Sequence, residues 1–170
     1  GHVFPESGTV GKDTKVYAVW NIDGTDTLQE LVDRTNAGVR DIIITADITV
    51  NKPIFIAYDT NIYADKNVTI TRDPSYDGDI FVVGQDKNGV AAVLNHRKVH
   101  FNLGGGKGTL TIDGNRSNLK VKVVGSALFV SDSSEVNIYN GIEIINNLKL
   151  GNRRALECEE FASIKAIERA

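Results

Sequence analysis

Ile42-Ile43-Ile44-Thr45, Ile48-Thr49-Val50, Ile54-Phe55-Ile56, Asn61-Ile62-Tyr63-Ala64 and Val68-Thr69-Ile70 follow in close succession, each parted from the next by Asp, Asn, Lys, Pro or Gly. Runs of β-branched and aromatic residues this short read as strands, and the residues between them are turn formers. Strands of three or four residues are too short for a free-standing sandwich, and tight hairpin pairs are few, chiefly Asn88-Gly89 and Asn140-Gly141. The economical arrangement is a solenoid, in which every short strand pairs with strands in the turns above and below.

The pattern continues to about Asn147, through Ile80-Phe81-Val82-Val83, Val99-His100-Phe101, Leu110-Thr111-Ile112, Leu128-Phe129-Val130, Val136-Asn137-Ile138 and Ile142-Glu143-Ile144. Echoes between segments support a degenerate repeat. Asn67-Val68-Thr69-Ile70 resembles Thr109-Leu110-Thr111-Ile112 and Gly141-Ile142-Glu143-Ile144, while Ile80-Phe81-Val82 resembles Leu128-Phe129-Val130. Their uneven spacing requires inserted loops, expected at Gln85 to His96 and Arg116 to Gly125. Asn67, Asn115, Asn137, Asn140, Asn146 and Asn147 lie beside strands, where they act either as stacked amide ladders or as independent turn residues.

Upstream, Val16 to Ile22 reads as a strand closed by Asp23-Gly24. Thr27 is the expected N-cap of a helix with Glu30 at capping-box spacing, Leu28, Leu31 and Val32 form its apolar face, and Gly38 ends it. Downstream, Arg153 to Ala170 has neither Gly nor Asn and is rich in Ala, Glu and Arg, a composition that predicts a helix. Leu156, Ile164 and Ile167 share one face of it, interrupted by Glu160. It is expected to close the lower end of the solenoid, the alternatives being a pairing helix or a segment foreign to the domain. The chain thus divides into an entry segment with a first strand (1–24), a capping helix (25–38), solenoid rungs (39–152) and a C-terminal helix (153–170).

The 19 Lys and Arg are scattered and the net charge is −3, so no basic stripe points to nucleic acid or an anionic membrane. No apolar run approaches the roughly 20 residues that span a bilayer. The single cysteine, Cys158, allows no internal disulfide and suggests no zinc site.

The capped helix, followed by Ala37-Gly38-Val39-Arg40-Asp41-Ile42-Ile43-Ile44, Asp47-Ile48-Thr49-Val50-Asn51-Lys52-Pro53-Ile54 and Asn67-Val68-Thr69-Ile70, resembles the opening of pectate-lyase-like right-handed parallel β-helices. Gly108 to Asn115, Ala127 to Val130 and Val136 to Ile144 resemble the β-helix regions of large Firmicute cell-surface adhesins, so the likeness covers about residues 25 to 150. It implies an all-β fold, a short right-handed parallel β-helix whose N-terminal helix plugs one end, and an extracellular bacterial protein, secreted or attached to the cell surface. The near absence of cysteine agrees with such export. The superfamily holds lyases, hydrolases, adhesins and passive stalks, so fold does not decide activity.

A lyase needs an Arg or Lys base beside acidic calcium ligands; Asp73, Asp113 and Arg116 are the candidates, although Asp113-Gly114-Asn115 and Arg72-Asp73-Pro74 also read as ordinary turns. A hydrolase needs converging carboxylates, and Asp77, Asp79, Asp86 and Asp113 show no motif. Asp73, Asp77 and Asp79 could form a calcium loop without catalysis, or a solvated acidic loop. His96 and His100 are at metal-pair spacing only on a helix, and strand alternation makes His100 a surface histidine. Gly104 to Gly108 lacks the ending of a phosphate loop and reads as a turn. Tyr58, Tyr63, Tyr76 and Tyr139 are candidates for stacking on sugar rings, or for corner packing. With no catalytic constellation, the expectation is a non-enzymatic module for adhesion, binding a polysaccharide or host-surface glycan. Alternatives are a calcium-dependent polysaccharide lyase or glycoside hydrolase, and a passive structural stalk or assembly element; self-association through solenoid ends or the C-terminal helix is a further expectation.

Overall fold

The computed structural model describes residues 22–38, 40–147, 156–158 and 162–166. The expected first strand at Val16 to Ile22 lies outside these residues except for Ile22, which is buried. The described chain is mostly β, with one N-terminal α-helix, α1 (Thr25–Asp33), and strands that form three parallel sheets. The strands come in successive groups of three, or rungs, the first made of β1 (Asp41–Ile44), β2 (Ile48–Val50) and β3 (Ile54–Ile56). The second is β4 (Thr60–Ala64), β5 (Val68–Arg72) and β6 (Phe81–Val83); the third is β7 (His100–Leu103), β8 (Leu110–Asp113) and β9 (Leu128–Val130). A fourth holds β10 (Glu135–Ile138), β11 (Ile142–Ile145) and β12 (Leu156–Cys158), and β13 (Ser163–Ala166) follows.

Each strand pairs in parallel with the strand three places on, giving the sheet orders β1-β4-β7-β10-β13, β2-β5-β8-β11 and β3-β6-β9-β12. Register follows the alternation of apolar residues. Ile48, Ile70, Ile112 and Ile144 lie over one another in the second sheet, and Ile54, Phe81, Leu128 and Leu156 in the third. Because side chains alternate along a strand, one face of every sheet feeds a single continuous core and the other faces outward. Each fully buried aliphatic side chain contributes about 1.5–3 kcal/mol.

Carboxylates and amides just before strands tie the rungs together at the corners. Asp47 Oδ1 accepts the Thr69 N–H at 2.8 Å, Asp59 Oδ1 that of His100 at 2.9 Å, and Asn67 Oδ1 that of Thr109 at 3.0 Å. The expected loops from Gln85 and from Arg116 are present, each holding a short 3₁₀ turn, Ala92–Asn95 and Arg116–Asn118.

Helix α1 begins at Thr25, two residues before the expected cap. Thr27 Oγ1 accepts the N–H groups of Asp23 and Gly24 at 3.0 and 3.2 Å, so Thr27 closes the cap from inside the first turn. Glu30 takes no part and pairs with Arg34 at 3.1 Å. Leu28, Leu31 and Val32 are buried as expected, and the helix packs against β2 and β3. Gln29 makes that contact specific: its Nε2 donates to Phe55 O at 3.0 Å and its Oε1 accepts the Phe55 N–H at 2.7 Å. One side-chain amide thus replaces a missing strand at the open edge of β3. Gly38, at φ 93°, ends the 3₁₀ turn that follows the helix, a conformation glycine adopts without strain.

The expected C-terminal helix is corrected. Leu156–Cys158 and Ser163–Ala166 are strands, Leu156 in register with Leu128 and Ile164 with Val136. Helix propensity is a weak preference, and the unpaired edges of β9 and β10 offer a template that outweighs it. Apart from Ala162, the rest of 153–170 lies outside the described residues. No described helix is long and apolar enough to cross a membrane.

Candidate functional site

The outward face of the first sheet gathers the polar and aromatic side chains. In β4, Thr60, Ile62 and Ala64 point inward, leaving Asn61 and Tyr63 on the outer face. β7 presents His100 and Asn102 there, and β10 presents Glu135 and Asn137.

Three columns cross this face. In the central one, Asn61 Nδ2 donates to Asp41 Oδ1 at 2.7 Å, Asn102 Nδ2 to Asn61 Oδ1 at 2.8 Å, and Asn137 Nδ2 to Asn102 Oδ1 at 3.0 Å. This is an asparagine ladder running down onto a carboxylate. Of the six asparagines singled out from sequence, only Asn137 belongs to it. Asn67, Asn115, Asn146 and Asn147 bond to backbone or to corner side chains instead. Asn61 and Asn102 were legible in principle, since Asn61-Ile62, Asn102-Leu103 and Asn137-Ile138 repeat an amide before an inward aliphatic residue.

A second column is ionic. His100 Nε2 lies 3.3 Å from Glu135 Oε2, and Nδ1 lies 3.5 Å from Asp59 Oδ1. Lys98 Nζ reaches Glu135 Oε1 at 2.8 Å, and this hydrogen bond, more than the charges of Lys98 and His100, holds the Glu135 carboxyl below its usual range. A depressed carboxylate stabilises the fold above its unfolded pKa, and that contribution disappears as pH falls through the folded one. Lys98→Met is therefore expected to raise the Glu135 titration midpoint, read by carbon NMR of its carboxyl. An unchanged midpoint would remove the assigned cause.

The third column is aromatic. Tyr63 and Tyr139 stand on either side of Gly104, one step beyond the paired residues Ile62, Leu103 and Ile138. Two rung spacings separate them, roughly 9.5 Å. Between them the chain leaving β7 is Gly104-Gly105-Gly106: a Cβ on Gly105 would lie 3.7 Å from Tyr139 Cβ, and one on Gly106 would lie 2.9 Å from Tyr63 Cδ2. The glycine run read as a plain turn is thus a bare step flanked by two phenol rings. Tyr58 lies at the opposite margin of the sheet, with the Arg97 guanidinium 4.2 Å from its ring centroid.

Tyr76 is not part of this face. Its hydroxyl donates to Asp79 O at 2.5 Å and its ring lies 5.4 Å from the guanidinium of Arg72. Burial, helped by Asp79, pushes the phenol above its ordinary pKa. Arg72 points inward, is 1% exposed, and donates to Tyr76 O at 3.3 Å and to Gly78 O.

Among the candidate calcium and lyase carboxylates, Asp73 and Asp113 hold local turns and Asp79 ties distant segments. Asp73 Oδ1 accepts the Ser75 N–H at 2.8 Å and Asp79 Oδ1 the Ser126 N–H at 2.6 Å. Asp113 Oδ1 accepts the Asn115 N–H at 2.7 Å and Asn146 Nδ2 at 3.0 Å. Arg116 is exposed on its 3₁₀ turn. Asp73, Asp77 and Asp79 are not brought together as ligands, and among the described residues no group of three or more His, Cys, Asp or Glu is arranged to hold a metal. No protein-family model, curated protein or solved structure matches this chain.

Proposed function

We propose that the three sheets are the faces of a short right-handed parallel β-helix of the pectate-lyase-like kind, serving as a non-enzymatic extracellular module of a bacterial surface protein. Its role is adhesion through a glycan bound on the outer face of the first sheet. The observation that carries the reading is the pair Tyr63 and Tyr139, set around a glycine step and beside the Asn61–Asn102–Asn137 ladder. Aromatic faces stack on the C–H surfaces of sugars, and amides supply paired donors and acceptors for hydroxyls. Asp73, Asp79 and Asp113 each accept a backbone N–H through Oδ1, which gives each a structural role.

A glycan array followed by calorimetry tests this. Wild type is expected to bind a restricted set of saccharides, and Tyr63→Ala or Tyr139→Ala to weaken binding about tenfold, the equivalent of one ring stacking contact. Absence of saccharide binding would favour a passive stalk and overturn the reading, as would undiminished binding by both variants. Steady formation of unsaturated product from polygalacturonate with calcium would overturn its non-enzymatic half.

A further inference from the structure

At the margin of the first sheet opposite Tyr63 and Tyr139 lies a cavity of about 360 Å³. Four separate stretches of chain form it: the 3₁₀ turn after α1 (Thr35), the approach to β1 (Arg40), the corner between β3 and β4 (Tyr58, Asp59) and the exit of the long loop before β7 (Arg97, Lys98). Thr35 and Val99, both buried, also line it.

The charges of this lining do not balance. Arg40, Arg97 and Lys98 stand against one carboxylate in the lining, Asp59, and a second outside it, Glu135, which reaches Lys98. Asp59 is already engaged: Oδ1 accepts the His100 N–H at 2.9 Å, and Oδ2 lies 3.8 Å from Arg40 Nη1. Arg97 is fixed in place by its hydrogen bond to Ala57 O at 2.7 Å and by the Tyr58 ring. Lys98 shares its charge with Glu135. Arg40, 62% exposed, has only the long contact to Asp59 among its ion pairs. Positive potential is concentrated in such a concave site, and guanidinium groups pair well with planar or tetrahedral oxyanions.

The geometry points to an oxyanion-binding site in this cavity, taking the carboxylate of a hexuronate or the sulfate ester of a sugar. The ligand of the first sheet is then an anionic glycan, with its charge at Arg40 and Lys98 and a neutral ring toward the tyrosines. The assignment of a sugar rests on the function proposed above; the oxyanion site stands without it.

Amide NMR titrations of the whole chain at low salt, with sodium glucuronate, glucose 6-sulfate, glucose and sodium sulfate, test the inference. Both anionic sugars are expected to give saturable shifts at Thr35, Arg40, Asp59 and Val99, the stronger response identifying the source of the charge, whereas glucose leaves these amides unmoved. Arg40→Gln with Lys98→Gln, both at exposed positions, is expected to weaken the anionic sugars at least about tenfold. Saturation by sulfate, with no sugar shifting Tyr63 or Tyr139, upholds the oxyanion site and overturns the glycan reading. No saturable shift with any anion, or an equal response to glucose, overturns the inference.

Discussion

Phe101→Ala is expected to lower the free energy of unfolding by about 3–5 kcal/mol. Phe101 is fully buried in β7, in register with Thr60 below and Val136 above. Its ring centroid lies 5.5 Å from that of Phe81 at an interplanar angle of 45°, so it reaches from the first sheet to the third. Truncation removes the apolar transfer energy and leaves a void between two hydrogen-bonded sheets that cannot close on it. Domains are stable by only about 5–15 kcal/mol, so the loss is a large part of the whole. Urea denaturation followed by circular dichroism measures it, and a loss below about 1 kcal/mol would refute the role given to this ring.

Arg72→Ala is expected to cost a similar amount, about 3–5 kcal/mol, for a different reason. Burial alone pushes the Arg72 pKa down, opposed in order by Tyr76, Asp79 and Asp77. Removing the side chain leaves the Tyr76 and Gly78 carbonyls without their donor and opens space under the 73–80 loop. Arg72→Lys should recover less than half, because an ammonium lacks the planar fork of donors. Tyr76 gives a second readout: Arg72 lowers its pKa, so Arg72→Ala should delay tyrosinate formation to still higher pH in an ultraviolet titration. Wild-type stability with an unchanged Tyr76 titration would refute the assignment.

Local pattern made much of this fold legible. Short strands, the N-terminal helix, both long loops and the echo of Val68, Leu110 and Ile142 follow from the alternation of apolar residues, and those three do share a column. What was not legible depends on partners distant in sequence. The likeness of Ile80-Phe81-Val82 to Leu128-Phe129-Val130 reads most simply as Phe81 over Phe129, yet Phe81 lies over Leu128. A one-residue slip exchanges the faces of a strand, and Phe129 accordingly is only half-buried while Phe81 is fully buried. Arg72 continues an inward alternation begun by Val68 and Ile70, but nothing local says that backbone carbonyls will receive it. The oxyanion cavity needs Arg40, Tyr58 and Arg97 together, and only the stacking of rungs brings them there. Residue type alone singles out Tyr58, Tyr63 and Tyr139, whereas the placing of Tyr63 and Tyr139 around one glycine step is a product of register.

The uneven rungs also impose an order on how the chain assembles. Asn61 finds Asp41 only 20 residues back, whereas Asn102 must find Asn61 across 41 residues and Asn137 must find Asn102 across 35. Doubling a loop raises its closure entropy by about 0.6 kcal/mol, and the second rung alone can close against an edge already braced by Gln29 of α1. On loop length alone, contacts at the amino-terminal end are therefore the least costly to close, and each completed rung offers an edge for the next.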